Sequence, residues 1–519
     1  MTPVALKKKG TKRSPRPVRT GPHAGRRLSA WRVLLAVAVV GVVTAAVVFA
    51  PRAVEWYQGA VAQQTQRHWF AGYFDATAEY RTEIAPATGD DTYNVLMSFI
   101  VAAAPQTCAP SWGAFYTFDE AAAYVDLDRR IARMRDEGAS IGISFGGAHN
   151  TELANACTDV DALAAAYGSV IDRYGVQVID LDVEKQNLED QDAAKRRAGA
   201  IAQLQGTHEG LSVWLTLPVT PTGLTASGVE SLREMWRSGV HLAGVNVMTM
   251  DFGVDLGGRS MAQASIDAVT ATHDQIAAEA QSAGVQVDAW AMLGVTPMIG
   301  QNDVADEVFT LDDAVALNAF ARERGMTRMS MWSFNRDRTC GPNHPASVLV
   351  SDSCSGVHQG GQTFASLLSA GFGDRPVPMS TARPTLAPVT SDDPATSPYP
   401  VWSPEAEYST GVRVVWHGYV YLANRWSQGV PEPDDPTLGP GESAWTLIGP
   451  VLPGDPPYRL PTVPPGTYPE WSSGTIYVAG DRVVWNGTPF EAKWWTQSAS
   501  PADALTAPSR SPWRMLAGS

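Results

Sequence analysis

Eight short runs rich in β-branched and aromatic residues, separated by longer stretches with helical character, predict an α/β fold for residues 69–373. Eight such strand–helix units in about 300 residues are typical of a TIM (β/α)8 barrel. The strands are expected at 70–75, 95–102, 140–145, 176–184, 212–217, 244–251, 287–293 and 328–334, with helices such as 126–136 and 193–205 between them. An open, doubly wound sheet is the alternative, but no GxGxxG sequence follows the first run.

An internal repeat near the carboxyl end predicts two further domains. A shift of 69 residues superposes Trp402 on Trp471 and Trp426 on Trp495, with matching Tyr, Gly and Val-Trp positions between them. Each copy has about 45–50 residues of short strands with Gly turns, which predicts small all-β modules at 401–449 and 469–519. Pro-rich stretches precede both copies, and we expect extended linkers at 374–400 and 450–468.

The charge of the chain is unevenly distributed. Its net charge is −14, yet residues 1–32 contain ten Lys and Arg and no Asp or Glu, which leaves −24 for the remainder. An acidic body of this kind repels phosphate backbones, so we expect no nucleic-acid partner.

Residues 33–50 are 18 uncharged, mostly apolar residues, just enough for an N-terminal transmembrane helix. The basic tail at 1–32 would then lie in the cytoplasm and the rest of the chain outside. A cleaved signal peptide is the alternative, although its apolar core is usually shorter and Pro51 blocks cleavage directly after Ala50. We therefore expect a protein anchored on the extracellular side of the cell membrane, or secreted if the segment is removed.

The four cysteines are compatible with an export route that permits disulfides. They contain no CxxC pair and no Cys/His cluster, so we expect neither a metal site nor a cofactor. The simplest pairing joins Cys108 to Cys157 and Cys340 to Cys354, and free thiols are the alternative.

Three acidic residues on the fourth predicted strand are candidates for catalysis. Side chains alternate along a strand, so Asp180, Asp182 and Glu184 share one face. In a barrel that face is the interior, and the three acids step up to the carboxyl-terminal rim where active sites lie. Their mutual repulsion should leave one acid protonated near neutral pH. An exposed acidic edge strand or a calcium site is the alternative.

The Asp180-x-Asp182-x-Glu184 sequence resembles the end of the DxxDxDxE signature of family 18 glycoside hydrolases, the chitinases. Four further segments resemble the family in the same order, and the resemblance covers residues 69–372. These segments are Ser144-Phe145-Gly146-Gly147 on the third strand, Met248-Thr249-Met250-Asp251 on the sixth, residues 296–303 after the seventh with Gln301 and Asn302, and Met331-Trp332-Ser333 ending the eighth.

The resemblance implies substrate-assisted hydrolysis of β-1,4-linked N-acetylglucosamine, an exception to the scheme with two catalytic carboxylates. Glu184 would be the general acid, and Asp182 would orient the acetamido group of the substrate. Asp180 would share a proton with Asp182 from below. Trp332 would form the apolar floor of the site.

Two positions depart from the family pattern. Gln177 stands where the signature begins with Asp, and we expect only a tuning effect there. Met250 stands where many members have a Tyr that donates a hydrogen bond to the acetamido oxygen. The acetamido group would then be held by Asp251, Gln301 or Asn302, or the activity would be weak.

The two repeats resemble chitin-binding modules of carbohydrate-binding families 5 and 12. Trp426 in the first copy and Trp494 and Trp495 in the second are the expected sugar-binding rings, since a core this small cannot bury every large aromatic residue. Other Trp residues of the repeats are expected in the cores, namely Trp402, Trp445, Trp471 and Trp513.

Taken together, the sequence predicts a chitinase with a TIM-barrel catalytic domain and two modules that bind insoluble chitin. We expect a monomer whose partners are chitin or N-acetylglucosamine oligomers, together with the membrane if the anchor is retained. An endo-β-N-acetylglucosaminidase acting on glycans or peptidoglycan is one alternative. A non-catalytic chitin-binding protein on the same barrel is the other.

Overall fold

The computed structural model describes residues 31, 67–77, 94–342, 344, 350–374, 392–429, 431–438 and 442–516. The chain divides into two compact units, Met1–Gln66 and Arg67–Ser519, and every described residue except Trp31 lies in the second. The segment expected to cross the membrane, 33–50, lies outside the described residues. Within the described part of the chain, no helix combines the length and the hydropathy that a bilayer crossing requires.

Eight parallel strands close into a barrel, because the first strand pairs with both the second and the eighth. The strands are β1 (Trp69–Asp75), β2 (Asn94–Ala102), β3 (Ser140–Gly146), β4 (Val178–Asp182), β5 (Ser212–Thr220), β6 (Leu242–Met248), β7 (Leu293–Thr296) and β8 (Arg328–Met331). Closure and strand order confirm the predicted TIM barrel. Shorter strands at its ends are Pro110–Trp112, Gly223–Leu224, Gly300–Gln301 and Val308–Phe309.

The predicted seventh strand, 287–293, is wrong in position. β7 begins only at Leu293, and the preceding residues form a turn. The Asp288 carboxylate accepts hydrogen bonds from the backbone N–H groups of Trp290 and Ala291, which satisfies the backbone of a turn rather than of a strand. The apolar residues there pack sideways instead, with the Trp290 ring against His273 and Phe320.

Helices lie between the strands and around the barrel. They are α1 (Phe118–Tyr124), α2 (Leu127–Asp136), α3 (Leu153–Ala156), α4 (Val160–Tyr174), α5 (Lys185–Glu189), α6 (Gln191–Thr207), α7 (Ala226–Arg237), α8 (Met261–Ala283), α9 (Leu311–Arg324) and α10 (Phe364–Leu368), with a 3-10 turn at Phe334–Arg336. Their ends follow local chemistry. Thr310 and Asp313 form a capping box at the start of α9, and Gly325 takes a left-handed conformation after its end.

Alternation along the barrel strands separates an apolar outer layer from a mixed interior. On β4 and just beyond it, Ile179, Leu181 and Val183 pack outward into the main hydrophobic core beneath the helices. The neighbouring Val178 faces inward, where it packs in a small cluster that includes Trp69 and Trp214. Asp180 and Asp182 therefore project into the barrel.

The two repeats fold alike. In the first, strands Arg413–Trp416, Tyr419–Ala423 and Trp445–Pro450 form an antiparallel sheet, and Glu407–Tyr408 pairs with Ser427–Gln428. The second has the same arrangement, with Arg482–Trp485, Thr488–Ala492 and Trp513–Met515 in one sheet and Ile476–Tyr477 paired with Thr496–Gln497; the short helix α11 (Asp503–Thr506) precedes its last strand. Below, "first module" means residues 401–450 and "second module" means residues 470–515.

The first module packs against the barrel. Arg129 on α2 donates to the Asp455 carboxylate, with Nη1 and Oδ2 at 2.9 Å, and to the carbonyl oxygen of Pro450. Arg413 of the module reaches Asp126, which directly precedes α2. The second module meets the first through Arg510, which forms an ion pair with Glu407. The chain after Pro450 thus takes part in the packing between the barrel and the first module.

Candidate active site

The three acids of the fourth strand lie at the barrel axis and its upper rim. Asp180 and Asp182 are on β4, with Asp180 fully buried and Asp182 4% exposed. Glu184 follows the strand in an extended conformation and precedes the first residue of α5. The acids therefore follow one another along the barrel axis, from Asp180 in the interior to Glu184 at the mouth of the barrel.

Four donors surround Asp180. One of its oxygens accepts hydrogen bonds from the Tyr73 hydroxyl at 2.9 Å and the Ser144 hydroxyl at 2.8 Å. The other accepts from the Thr216 hydroxyl at 2.6 Å and from Nη1 of Arg328 at 2.7 Å. Asp180 is thus held on both oxygens by residues from four other strands.

Asp182 and Glu184 form a pair of acids above Asp180, and the oxygens of Asp182 accept fewer hydrogen bonds than those of Asp180. Burial, followed by the nearby charges of Glu184 and Asp180, raises the pKa of Asp182 well above its ordinary value. Burial also raises the pKa of Glu184 to about 7, with Asp251 and Asp303 adding to the rise and Lys185 opposing it. Asp182 and Glu184 hydrogen-bond to each other, whereas Oδ1 of Asp182 has no partner among the described residues although it is buried. An acid poised near neutral pH therefore lies beside an unused acceptor.

The Ser144-x-Gly146-Gly147 motif fits around this series. Ser144 supplies a donor to Asp180, as described. Gly146 has a φ of 101°, and a Cβ there would lie 1.9 Å from the carbonyl oxygen of Asp182. The Gly147 N–H donates to that same oxygen, and a Cβ on Gly147 would collide with the Phe99 ring. Only glycine allows β3 and β4 to approach this closely.

An aromatic floor lies beside the acids. Trp332 follows β8 and stacks on Phe99, with ring centroids 5.4 Å apart and planes 16° apart. Tyr73 packs against both rings. A flat apolar surface of this kind suits the face of a sugar ring.

The structure separates the three candidates for holding an acetamido group. The Gln301 side-chain amide donates to backbone carbonyls of its own loop, including those of Asn302 and Ala305. The Asn302 amide donates to the carbonyls of Met298 and Gly300. Both amides are therefore committed to the shape of the loop.

Asp251 remains at the rim. It follows β6 with a φ of 46°, and its N–H donates to the Asn302 side chain. Burial and the nearby Asp303 raise the pKa of the Asp251 carboxyl. Met248 is buried at the end of β6, and Met250, two residues on, carries no hydrogen-bond donor.

Several residues of the interior network were not predicted from the sequence. Tyr73, Asn246, Thr296 and Arg328 all lie at inward positions of barrel strands, and Asn246 bonds to Thr296, Thr216 and Tyr73. Polar residues at alternate positions of otherwise apolar runs were the available signal. Among the predicted strands, only the fourth carries three acidic residues at alternate positions.

The expected sugar-binding rings of the modules lie on the surface. Trp426 is 54% exposed, Trp494 46% and Trp495 60%. Lys493 places its ammonium group over the Trp494 ring, 4.4 Å from the centroid. Three of the four Trp residues assigned to the cores, Trp402, Trp445 and Trp513, are buried, whereas Trp471 is only partly buried against its core.

Both predicted disulfides, Cys108–Cys157 and Cys340–Cys354, are confirmed. Within the described residues, Cys340, His344 and Cys354 are the one group of three side chains close enough to ligate a metal ion. Two of them are already joined in a disulfide, which removes the thiolates that such a site would use.

The chain is similar to several known proteins. Residues 470–514 match the family model described as carbohydrate-binding module family 5/12. The chain is 34% identical over 290 residues to a protein of Escherichia coli strain K12 described as a probable bifunctional chitinase/lysozyme, covering 53% of this chain and 32% of that protein. It is 33% identical over 285 residues to endochitinase 11 of Metarhizium anisopliae, covering 52% of this chain and 53% of that protein.

Among solved structures, the catalytic domain of a hyperthermophilic chitinase from Pyrococcus furiosus superposes with a TM-score of 0.49 at 28% identity. That superposition covers 59% of this chain and 95% of the other. The chain spans about a third and about half of the lengths of the two curated relatives.

The closed barrel with its series of acids thus belongs to a chain that is similar, over about half of its length, to proteins described as chitinases. Residues 470–514 are in addition similar to carbohydrate-binding modules of family 5/12.

Proposed function

We propose that the protein is a chitinase that hydrolyses β-1,4 linkages between N-acetylglucosamine units of chitin. The observation that carries the proposal is the pairing of Glu184, whose pKa is about 7, with Asp182, whose buried Oδ1 is an unused acceptor. One group can donate a proton to a leaving oxygen while the other accepts an N–H from the substrate. The similarity to two proteins described as chitinases supports the substrate class.

The mechanism we propose is substrate-assisted and retains the anomeric configuration. Glu184 protonates the glycosidic oxygen as the bond to the anomeric carbon breaks, and the acetamido oxygen of the same sugar bonds to that carbon. The result is a positively charged oxazolinium ion and a Glu184 carboxylate. Asp182 accepts the acetamido N–H and stabilises the charge. Glu184 then takes a proton from water as the water oxygen bonds to the anomeric carbon, from the face that the leaving group left, and the bond to the acetamido oxygen breaks.

We propose that Asp182 shares its proton with Glu184, and not with Asp180 as the resemblance implies. Asp180 was expected to share a proton with Asp182, but its two oxygens already accept four hydrogen bonds from other strands. The contact between Asp182 and Glu184 supports a proton that is held by these two residues. In the free protein Asp182 would carry it. It would pass to Glu184 when the acetamido N–H takes its place on Asp182.

We further propose that both modules bind chitin. The family match covers only the second module, and its exposed Trp494 and Trp495 support a flat stacking surface. The first module has the same strand arrangement and one exposed ring in this region, Trp426. Two weak stacking sites on one chain favour binding to a polymer surface, because the second site binds intramolecularly once the first is bound.

The proposed location is outside the cytoplasm, either anchored or secreted. The two disulfides support it, because disulfides persist in oxidising compartments.

Peptidoglycan is a second candidate substrate, because one relative is described as a chitinase/lysozyme. Both polymers contain β-1,4-linked N-acetyl sugars, so the same acids could act on either. The test is the release of soluble sugars from insoluble chitin, chitosan and peptidoglycan by the full chain, beside a binding isotherm on chitin. Rapid release from chitin alone supports the proposal. Release only from peptidoglycan favours the second candidate, and binding without release favours a non-catalytic role.

A further inference from the structure

Arg328 is a fully buried cation in the interior of the barrel. Each side of its guanidinium group has a partner. Nη1 lies 2.7 Å from Asp180, Nη2 donates to the Tyr73 hydroxyl at 2.9 Å, and Nε donates to the Ser330 hydroxyl at 2.9 Å. In the sequence, Arg328 is an ordinary residue of the predicted eighth strand, and it has no step in the proposed mechanism.

Aromatic rings enclose the guanidinium group. Its carbon lies 5.3 Å from the centroid of Trp69, 5.7 Å from Tyr73 and 5.1 Å from Trp214. A charged group is costly to bury in such a place unless a specific partner retains it, and an apolar side chain of similar volume would serve packing alone as well or better. The cation is therefore best explained by what it does to Asp180.

We propose that Arg328 is a positioning residue that keeps Asp180 as a fixed anion, so that the single catalytic proton is confined to the Asp182–Glu184 pair. This inference rests on the proposed hydrolase function and refines it. If Asp180 were free to take the proton, Asp182 could pass it downward and leave Glu184 as a carboxylate with no proton to donate. With Asp180 neutralised by a permanent cation, the only exchange open to Asp182 is upward, to the residue that meets the substrate.

Other charges act on the same pair. The titratable and charged groups that face it are Asp180, Tyr73, Arg328, Lys185, Asp251 and Asp303. Tyr73 contributes a neutral hydroxyl, because burial and Asp180 raise its pKa well above the ordinary value. Arg328 is the buried cation of the set, and its charge lowers the pKa of Asp182.

The sign of the pH effect follows. The pair is active with one proton, so the acidic limb of kcat/KM reports uptake of a second proton and the alkaline limb reports loss of the first. Removing a positive charge from beneath the pair favours protonation in both steps. Arg328→Met should therefore move both limbs to higher pH, by about one unit, and Arg328→Lys should leave them near their wild-type positions.

The experiment measures kcat/KM on a soluble N-acetylglucosamine oligomer from pH 4 to 10 for the full chain and its variants, the range chosen to span about two units on each side of the expected limbs. Tyr73→Phe is the matched control, since it removes a hydrogen bond from the same carboxylate without removing a charge. It should lower the rate with a smaller displacement of the limbs than Arg328→Met. The double variant Asp180→Asn/Arg328→Met removes anion and cation together, which avoids an unpaired buried charge. Its limbs should return toward the wild-type positions.

The results separate two failures. If the wild-type chain hydrolyses no oligomer, the proposed function is wrong. If the wild type is active and folded Arg328→Met loses rate equally at every pH, Arg328 is structural only and the inference is overturned. If Arg328→Met does not fold, the test is to compare the pH profile of the double variant with that of Asp180→Asn alone. The limbs of Asp180→Asn are expected at lower pH than those of the double variant, and coincidence of the two profiles would contradict the inference.

Discussion

Arg413 of the first module forms an ion pair with Asp126 of the barrel, with Nη2 and Oδ2 2.7 Å apart. Asp126 is buried in this contact, and the adjacent pair of Arg129 and Asp455 extends it. A module tethered only by an extended linker would need no such buried charges, so we expect the barrel and the first module to move as one body.

Loss of that ion pair should release the first module. Arg413→Ala leaves the Asp126 carboxylate buried with one cation fewer, so limited proteolysis near residue 400 should become several-fold faster, because local opening is less costly. The matched control is Arg482→Ala, since Arg482 occupies the equivalent position of the second module and pairs with Glu491 of its own sheet. Equal cleavage rates in the two variants would show that the contact does not hold the module.

The raised pKa of Glu184 should be visible in stability. A carboxyl whose pKa rises from 4.5 to about 7 on folding stabilises the folded state while it is protonated. This contribution is complete below pH 4.5 and is lost as the pH rises from there through about 7. The thermal midpoint of Glu184→Gln, which never ionises, should match the wild type below the ordinary pKa of 4.5, exceed it increasingly up to about pH 7, and keep that difference above it. Calorimetry at a series of pH values measures this difference, and parallel curves would contradict it.

Met250 should limit the rate. A Tyr in its place could donate a hydrogen bond to the acetamido oxygen as that oxygen attacks, which is worth about 1.5–3 kcal/mol when the partner is charged. Met250→Tyr should therefore raise kcat on soluble oligomers by about tenfold or more. Met250→Phe supplies the ring without the hydroxyl and should give no gain. Equal rates in the two variants would show that another group already holds the acetamido oxygen.

The second module should dominate binding to insoluble chitin. Its Trp494 and Trp495 offer two exposed rings, whereas the first module offers Trp426 beside Arg425. Depletion isotherms should show that Trp495→Ala weakens binding more than Trp426→Ala, and that the double variant is weaker than either. Rates on short soluble oligomers should stay unchanged in all three. A larger loss for Trp426→Ala would reverse the ranking of the modules.

The barrel and its acids could be predicted because their signals are local. Alternation along β4 directs Asp180 and Asp182 into the barrel, and this direction does not depend on the sequences of the neighbouring strands. The start of β7 could not be predicted, because the residues before Leu293 are mostly apolar and the turn they form depends on hydrogen bonds to the Asp288 side chain.

Contacts between distant parts of the chain could not be predicted from the sequence. Nothing in the local pattern pairs Arg413 with Asp126, or Arg328 with Asp180, across more than a hundred intervening residues. The amides of Gln301 and Asn302 were equally unpredictable, because their direction depends on the fold of a loop whose carbonyls they satisfy.

The most direct test of the central claim is the rate at which Glu184→Gln releases soluble sugars from insoluble chitin, compared with the wild type. Gln keeps the shape of the side chain and cannot donate an acidic proton, so the rate should fall by about 10²–10⁴-fold while binding to chitin is retained. Asp182→Asn should also be severely impaired, through the acetamido group. A Glu184→Gln variant that binds chitin and hydrolyses it at a near-normal rate would contradict the account.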